Sequence, residues 1–290
     1  MQIATASYPL TWFRTWSDYE AKLSEWVAGA AGQGAELLVF PEYGAMELVS
    51  LAGVDAAAEN TASIQAVSNL MGDVNALHRD LARRFGVHIL GASAAMNVGG
   101  RVVNRAHFHT PQGATEFQDK AIMTLWERDP MGVTGQGPLK VFDTALGVIA
   151  VSICYDSEFP LLARAQSAAD LLLVPSTTEA EAGYWRVRIA AQARALEGQC
   201  IVAMASTVGD FARLPLMETS VGAGGIFAPP DQGFPANGVV ALGQLNAPGW
   251  TFGDVDLGAV RDLRTHGEVR NHAHWSEADP PGPIERVDLR

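Results

Sequence analysis

Two hydrophobic periods alternate along this chain. Residues 2–7 read as a short apolar strand, and after them Tyr19, Leu23, Trp26, Val27 and Ala30 recur at helical spacing. Ser17-Asp18-Tyr19-Glu20 has the form of a capping box, in which the Ser hydroxyl accepts from the third amide of the helix and Glu20 reaches back to the cap. Gly32 and Gly34 supply the stop. An apolar strand follows at 36–40 and ends at Pro41. Residues 61–84 predict a long amphipathic helix closed by Gly86, and 87–93 another strand. Gly99-Gly100 and Pro111-Gln112-Gly113 are turn signals around paired strands at 101–110 and 115–119. Residues 139–142 and 147–153 read as a hairpin that ends at Cys154. A helix near 159–168, a strand at 171–174, a helix near 181–196 and a strand at 200–205 come next. Two or three strands lie between 222 and 256, and a last short helix at 257–265.

The run Leu171-Leu172-Leu173-Val174 suits a strand buried on both faces. Crossover helices mixed with hairpins predict an α/β chain with mixed sheets. No repeat and no break in composition marks a linker. A single domain over 1–270 is therefore expected, with a tail at 271–290 that holds Pro280, Pro281 and Pro283. That tail is either loose or lies across a partner subunit.

Composition narrows the class. With 290 residues, 48% of them hydrophobic and 18% charged, the chain is not a disordered one and is long enough for a sizeable core. A net charge of −12 argues against general affinity for nucleic acid or anionic membrane surfaces. No run of roughly 18 apolar residues suggests a membrane span, and the first residues lack the basic region of a signal peptide. Two cysteines, Cys154 and Cys200, are too few for a disulfide framework or a Cys-based zinc site. The expectation is a soluble cytoplasmic protein with free thiols.

Three residues share one context. Glu42, Lys120 and Cys154 each stand just past a predicted strand, and ligands of open α/β sheets gather at the carboxyl ends of strands. A carboxylate, an ammonium and a thiol meeting there suit acyl transfer. Glu42 would take the thiol proton and Cys154 would attack a carbonyl or nitrile carbon. Lys120 and the backbone amide of Tyr155 would hold the oxyanion, and water activated by Glu42 would clear the thioester. Each residue alone also has an ordinary reading, as a solvated loop carboxylate, a surface ammonium and a small buried apolar side chain.

The motifs point further together. Leu38-Val39-Phe40-Pro41-Glu42, Asp119-Lys120 followed by Glu127, and Ile153-Cys154-Tyr155-Asp156-Ser157-Glu158-Phe159-Pro160 resemble, in order, the three signatures of the nitrilase (carbon–nitrogen hydrolase) superfamily. The segment 182–205, with Ala193-Arg194-Ala195-Leu196-Glu197, is similar as well. The resemblance implies Glu42 as general base, Lys120 as stabiliser of the tetrahedral intermediate, Cys154 as nucleophile and Glu127 as catalytic support. It implies a four-layer αββα sandwich with two mixed sheets, pairing into an eight-layer αββααββα homodimer, with the tail often crossing to the partner. It calls for no cofactor and no metal.

Tyr155-Asp156 after the Cys resembles amidase branches rather than the Trp-Glu of nitrile-cleaving members. A small amide is therefore the expected substrate, cleaved to acid and ammonia. A nitrilase, an N-carbamoyl-amine hydrolase and a non-catalytic scaffold are the alternatives. Glu158 stands where several branches acting on acidic substrates carry Arg, so a pocket-lining Glu158 would disfavour a carboxylate-bearing substrate. Trp126, Tyr155 and Trp185 are candidates for the walls of an apolar acyl pocket. His107-Phe108-His109 and His272-Ala273-His274 are read as structural, because a zinc site needs three or four ligands. Cys200 reads as core, and Gly222-Ala223-Gly224-Gly225 as a close-packed stretch near the rim of the site.

Overall fold

The computed structural model describes residues 1–135, 137–279 and 282–290. Pro280 and Pro281 of the predicted tail lie outside the described residues. The chain opens with strand β1 (Gln2–Pro9), helix α1 (Trp16–Gly32) and strand β2 (Leu37–Val39). The capping box of α1 sits two residues before the expected one. Thr15 Oγ1 accepts from the Asp18 amide at 3.2 Å, and Asp18 Oδ2 accepts from the Thr15 amide at 2.9 Å. This frame brings Trp16 into the first turn, where its ring meets Tyr19 with centroids 5.3 Å apart.

A 3₁₀ segment at Gly44–Ala52 and a short helix α2 (Val54–Ala57) lead into α3 (Asn60–Phe85). Gly86 ends α3 at φ +68°, a left-handed conformation that glycine adopts without steric cost. Strand β3 (His88–Leu90) is shorter than predicted, since the chain bends at Gly91 and re-enters the sheet as β4 (Ala94–Val98). Then come β5 (Arg101–His109), β6 (Thr115–Asp119), the one-turn α4 (Leu125–Arg128) and the hairpin of β7 (Val141–Thr144) and β8 (Gly147–Val151). Helix α5 (Pro160–Ala165), β9 (Leu171–Ser176), α6 (Glu181–Gly198) and β10 (Ile201–Asp210) form the next crossovers. Four strands, β11 (Thr219–Ser220), β12 (Gly225–Phe227), β13 (Val239–Leu242) and β14 (Gly249–Asp254), precede the last helix α7 (Leu257–His266).

The strands form a mixed α/β sandwich whose sheet is one continuous hydrogen-bonded path, β4-β5-β3-β2-β1-β10-β9-β8-β7, instead of two separate mixed sheets. The junction is short. β1 and β10 pair in parallel only at Ser7↔Ser206, Tyr8↔Thr207 and Pro9↔Val208. Toward their other ends each takes a different antiparallel partner, β14 for β1 and β12 for β10. Two half-sheets therefore join at the carboxyl ends of their central strands.

Side-chain alternation feeds two cores. On β1, Ala4, Ala6 and Tyr8 pack toward α1 and α3, while Ile3 joins the second core with Leu37, Val39, Ile149, Leu171 and Ile201. β9 is buried throughout, as the apolar run predicts. Asp170, just before β9, takes Arg261 at 2.8 Å and Arg264 at 3.5 Å, which fastens α7. The first part of the tail packs on its own chain: His272 Nε2 lies 3.0 Å from the Ser167 carbonyl, and Arg164 Nη2 donates to the Trp275 carbonyl at 3.0 Å.

Candidate active site

Glu42 follows β2 and is 1% exposed. Tyr43 beside it takes φ +55°, a turn that sends consecutive side chains into the same buried site. Ser93, from the bend after β3, accepts the Tyr43 amide at 2.9 Å and donates to Asn104 Oδ1 at 2.7 Å. Asn104 lies within β5 and is thereby oriented with its amide nitrogen toward Glu42 Oε1 at 2.8 Å and Glu127 Oε1 at 3.3 Å.

Lys120 leaves the end of β6 and is 1% exposed. Its ammonium sits between two carboxylates, Glu42 Oε1 at 2.8 Å and Glu127 Oε2 at 2.7 Å. Glu127 is the third helical residue of a capping box whose cap is Thr124. Thr124 donates to Glu127 Oε2 through its amide at 2.9 Å and its hydroxyl at 3.0 Å, and the Tyr43 hydroxyl donates to Oε1 at 2.7 Å. Burial works against the Glu127 charge, but Lys120 and these donors outweigh it and hold Glu127 below the usual carboxylate range. Glu42 has fewer donors. Burial lifts it to about 7 against the pull of Lys120. Burial would also lower Lys120, yet its two carboxylates prevail and keep the ammonium well above its ordinary value.

Cys154 follows the β8 segment at φ +48°, in a tight turn that opens a one-turn 3₁₀ helix, Cys154–Glu158. Its thiol donates weakly to the Thr177 carbonyl at 3.5 Å and shares the cavity wall with Glu42. The Thr177 amide donates to Glu42 Oε2 at 3.0 Å, so one residue orients both acid and thiol. Burial and the Glu42 charge push the thiol pKa well up, so the resting sulfur carries its proton. Asp156 spans the gap to the lysine loop, accepting the Ala121 amide at 2.9 Å and the Ile122 amide at 2.8 Å. Burial raises Asp156 to about 6 against these bonds.

Glu42, Lys120, Glu127 and Cys154 meet in the wall of a cavity of about 330 Å³. Trp126, Tyr155 and Glu158 line it too. Trp185 does not: it is 42% exposed and its indole nitrogen donates back to Glu181 at 3.1 Å. Helical geometry is the reason, since Gly183 and Val187 turn toward the cavity and Trp185, midway between them, points outward. Arg186, unremarked in the sequence, lines the cavity in its place and pairs with Glu158 at 3.3 Å. Glu158 is thus not a lone negative charge.

The pattern of the carbon–nitrogen hydrolase family matches residues 2–234. The chain belongs to that family. The chain is 33% identical over 272 residues to the probable hydrolase YhcX of Bacillus subtilis, a match covering 93% of this chain and 52% of the other. Over 157 residues it is 31% identical to deaminated glutathione amidase of Homo sapiens, covering 48% of this chain and 44% of that one. The chain thus spans about half the length of these curated relatives. Among solved structures it resembles an amidase from Nesterenkonia (TM-score 0.67, 21% identity, 95% and 99% of the two chains). It also resembles a CN-hydrolase superfamily protein from Xanthomonas campestris (TM-score 0.74, 18% identity, 99% of each). At these identities the structural likeness shows the fold.

Several residues of the site escape a reading of the sequence. Thr124-Leu125-Trp126-Glu127 has the capping-box spacing, a local signal for Thr124. Tyr43 adjoins the first motif, and Asp156 lies within the third, where nothing in the sequence signals its structural role. Ser93, Asn104 and Thr177 carry no sequence signal, because their roles depend on distant strands. Of the paired histidines, His107 and His109 stack with centroids 6.3 Å apart, and His109 stacks on His78 at 5.5 Å. Among the described residues no group of three or more His, Cys, Asp or Glu is arranged to hold a metal ion. No helix among them is long and apolar enough to cross a membrane. Cys200 is buried with its thiol raised to about 11 by burial.

Proposed function

We propose that the chain is a thiol amidase that hydrolyses a small non-peptide carboxamide to acid and ammonia. The observation that carries this reading is the convergence of Glu42, Lys120 and Cys154 on one cavity, with Glu42 held near neutrality beside a protonated thiol. As Cys154 Sγ attacks the carbonyl carbon, its proton passes to Glu42. The electron pair of the C=O bond moves to oxygen, where the Lys120 ammonium and the Tyr155 amide receive the negative charge. Tyr155 suits this role because its amide lies in the first turn of the 3₁₀ helix, where N–H groups lack intrahelical partners. Collapse of the intermediate expels the amine, which takes the proton from Glu42 and leaves as ammonia. Glu42 then deprotonates water, which attacks the thioester. The second tetrahedral intermediate expels the thiolate, which regains its proton from Glu42. Glu127 holds Lys120 in place and keeps its charge.

The amidase and ω-amidase names of relatives support this reading over nitrile cleavage. The four-layer arrangement and an eight-layer homodimer extend the proposal. Trp185, Ile189 and Leu196 on α6 and Leu161 on α5 are large apolar side chains left exposed, which suits a helix face covered by a second copy. Two unpaired cysteines suit a reducing compartment.

Ammonia release from a panel of aliphatic, aromatic and amino-acid amides, ω-amides of dicarboxylates, N-carbamoyl amines and nitriles tests the function. Turnover of amides that disappears in Cys154→Ala is the expected result. Release from nitriles or carbamoyl compounds alone would reassign the reaction. No release, together with equal and slow iodoacetamide labelling of Cys154 and Cys200, would point to a scaffold.

A further inference from the structure

We propose that the acyl portion of the substrate ends in a zwitterion, an ammonium and a carboxylate on one carbon, which exchanges partners with the Glu158–Arg186 pair at the cavity wall. The inference rests on the amidase reading and names the substrate class for that same site. Both residues line the cavity that holds Cys154. Their bond is a single contact, Arg186 Nε to Glu158 Oε1 at 3.3 Å, with side chains 61% and 20% exposed. A solvated pair of this kind contributes little to stability and separates readily. The contact uses only Nε; among the described residues no other acceptor meets the terminal nitrogens of Arg186. Those nitrogens form a fork that suits a carboxylate.

Charge decides between substrate classes. The other cavity cation, Lys120, already pairs with two buried carboxylates and is assigned to the oxyanion of the reacting carbonyl. Among the described residues that line the cavity, Arg186 is therefore the cation left for an incoming anion. A substrate carrying only a carboxylate would meet Arg186 but also Glu158, and Glu179 on the same wall. A substrate carrying only an ammonium would meet Glu158 and Glu179 but leave the terminal nitrogens of Arg186 unused. A zwitterionic head gives each member of the Glu158–Arg186 pair a new partner. The aromatic and apolar walls, Trp126, Val187 and Met217, accommodate the methylenes between that head and the carboxamide.

The test is calorimetric binding to the Cys154→Ala chain, which holds ligand without turning it over. Glutamine is compared with three truncated amides, glutaric acid monoamide without the ammonium, 4-aminobutanamide without the carboxylate and butanamide without either. Asparagine and homoglutamine vary the spacer. The expected result is that one of the three zwitterions binds at least tenfold tighter than any truncated amide. A further Arg186→Gln change should erase its advantage over 4-aminobutanamide, and Glu158→Gln its advantage over glutaric acid monoamide. Binding in which no zwitterion outranks the truncated forms, or selectivity unmoved by both changes, overturns the proposal. Selective zwitterion binding without ammonia release by the wild type would keep this inference and sink the amidase reading, so the two failures are distinct.

Discussion

Glu42 and Glu127 share one ammonium, yet only one of them is placed to take a proton near neutrality. Glu127 accepts from Lys120, Tyr43, both Thr124 donors and Asn104. Glu42 accepts from Lys120, Asn104 and the Thr177 amide and adjoins the thiol. Hydrogen bonds to a carboxylate favour its charged form, so the less satisfied acid titrates higher. Below about 7 Glu42 carries its proton and is unable to receive that of Cys154. The expected kcat/KM therefore rises with pH through about 7, and Glu42→Gln lowers it by roughly 10²- to 10⁴-fold, the usual contribution of a general base. A pH–rate profile of the free enzyme checks both. Removing the Asn104 donor destabilises both carboxylates, so Asn104→Ala should move the acid limb to higher pH; a limb that stays in place or moves lower would refute this account of Glu42. The three motif residues were legible because each follows a predicted strand and sits in a recognisable motif. Asn104 was not, since an Asn inside a strand says nothing about the carboxylates that two other segments bring to it.

Elements position the chemistry through a few short links. Asp156 receives two consecutive amides directly after Lys120, so the turn that carries the thiol and the loop that carries the ammonium move as one. Asp156→Asn turns one acceptor into a donor facing an amide, a loss of about 1–3 kcal/mol for buried hydrogen-bonding groups. The expected effect is a kcat lowered roughly ten- to hundredfold with KM little changed, since the link sets geometry between catalytic groups and touches no substrate. A rise in KM at constant kcat would show that Asp156 acts on binding instead. Gly222 is a second link: a Cβ there would come within 2.4 Å of Ser206 Cβ and 3.0 Å of the Thr207 carbonyl. Gly222→Ala should cost about 1–3 kcal/mol of stability, the usual range for overpacking, measured as a lowered denaturation midpoint. The close packing of this glycine stretch was visible in its composition. The extra strand β4 and the 3₁₀ segment at Gly44–Ala52 were not, because strong turns after β2 and β3 override the local pattern.

At the scale of the molecule, the alternation of strands and helices made the α/β class legible, while the joining of the half-sheets through three residue pairs of β1 and β10 depends on contacts about 200 positions apart in the chain. The same interior holds a set of histidines whose burial sequence alone does not reveal. His78 of α3 stacks on His109 of β5, which stacks on His107, and one ring nitrogen of each lacks a hydrogen-bond partner. Burial depresses all three, His78 and His107 to about 4 and His109 to about 2. Arg79, Arg105 and Lys140 add to the depression, and Asp119 opposes it at His107. Their unfolded value is 6.5, so between that pH and about 4 the unfolded chain binds more protons than the native one. Stability is therefore full above 6.5 and declines as pH falls through this window. For fully buried His78 alone, the shift corresponds to about 3 kcal/mol. Denaturant unfolding at a series of pH values should show this slope, and His78→Gln, which removes one titrating group and keeps a polar side chain, should flatten it. An unchanged slope would place the acid sensitivity of the fold elsewhere, in the buried carboxylates around Lys120.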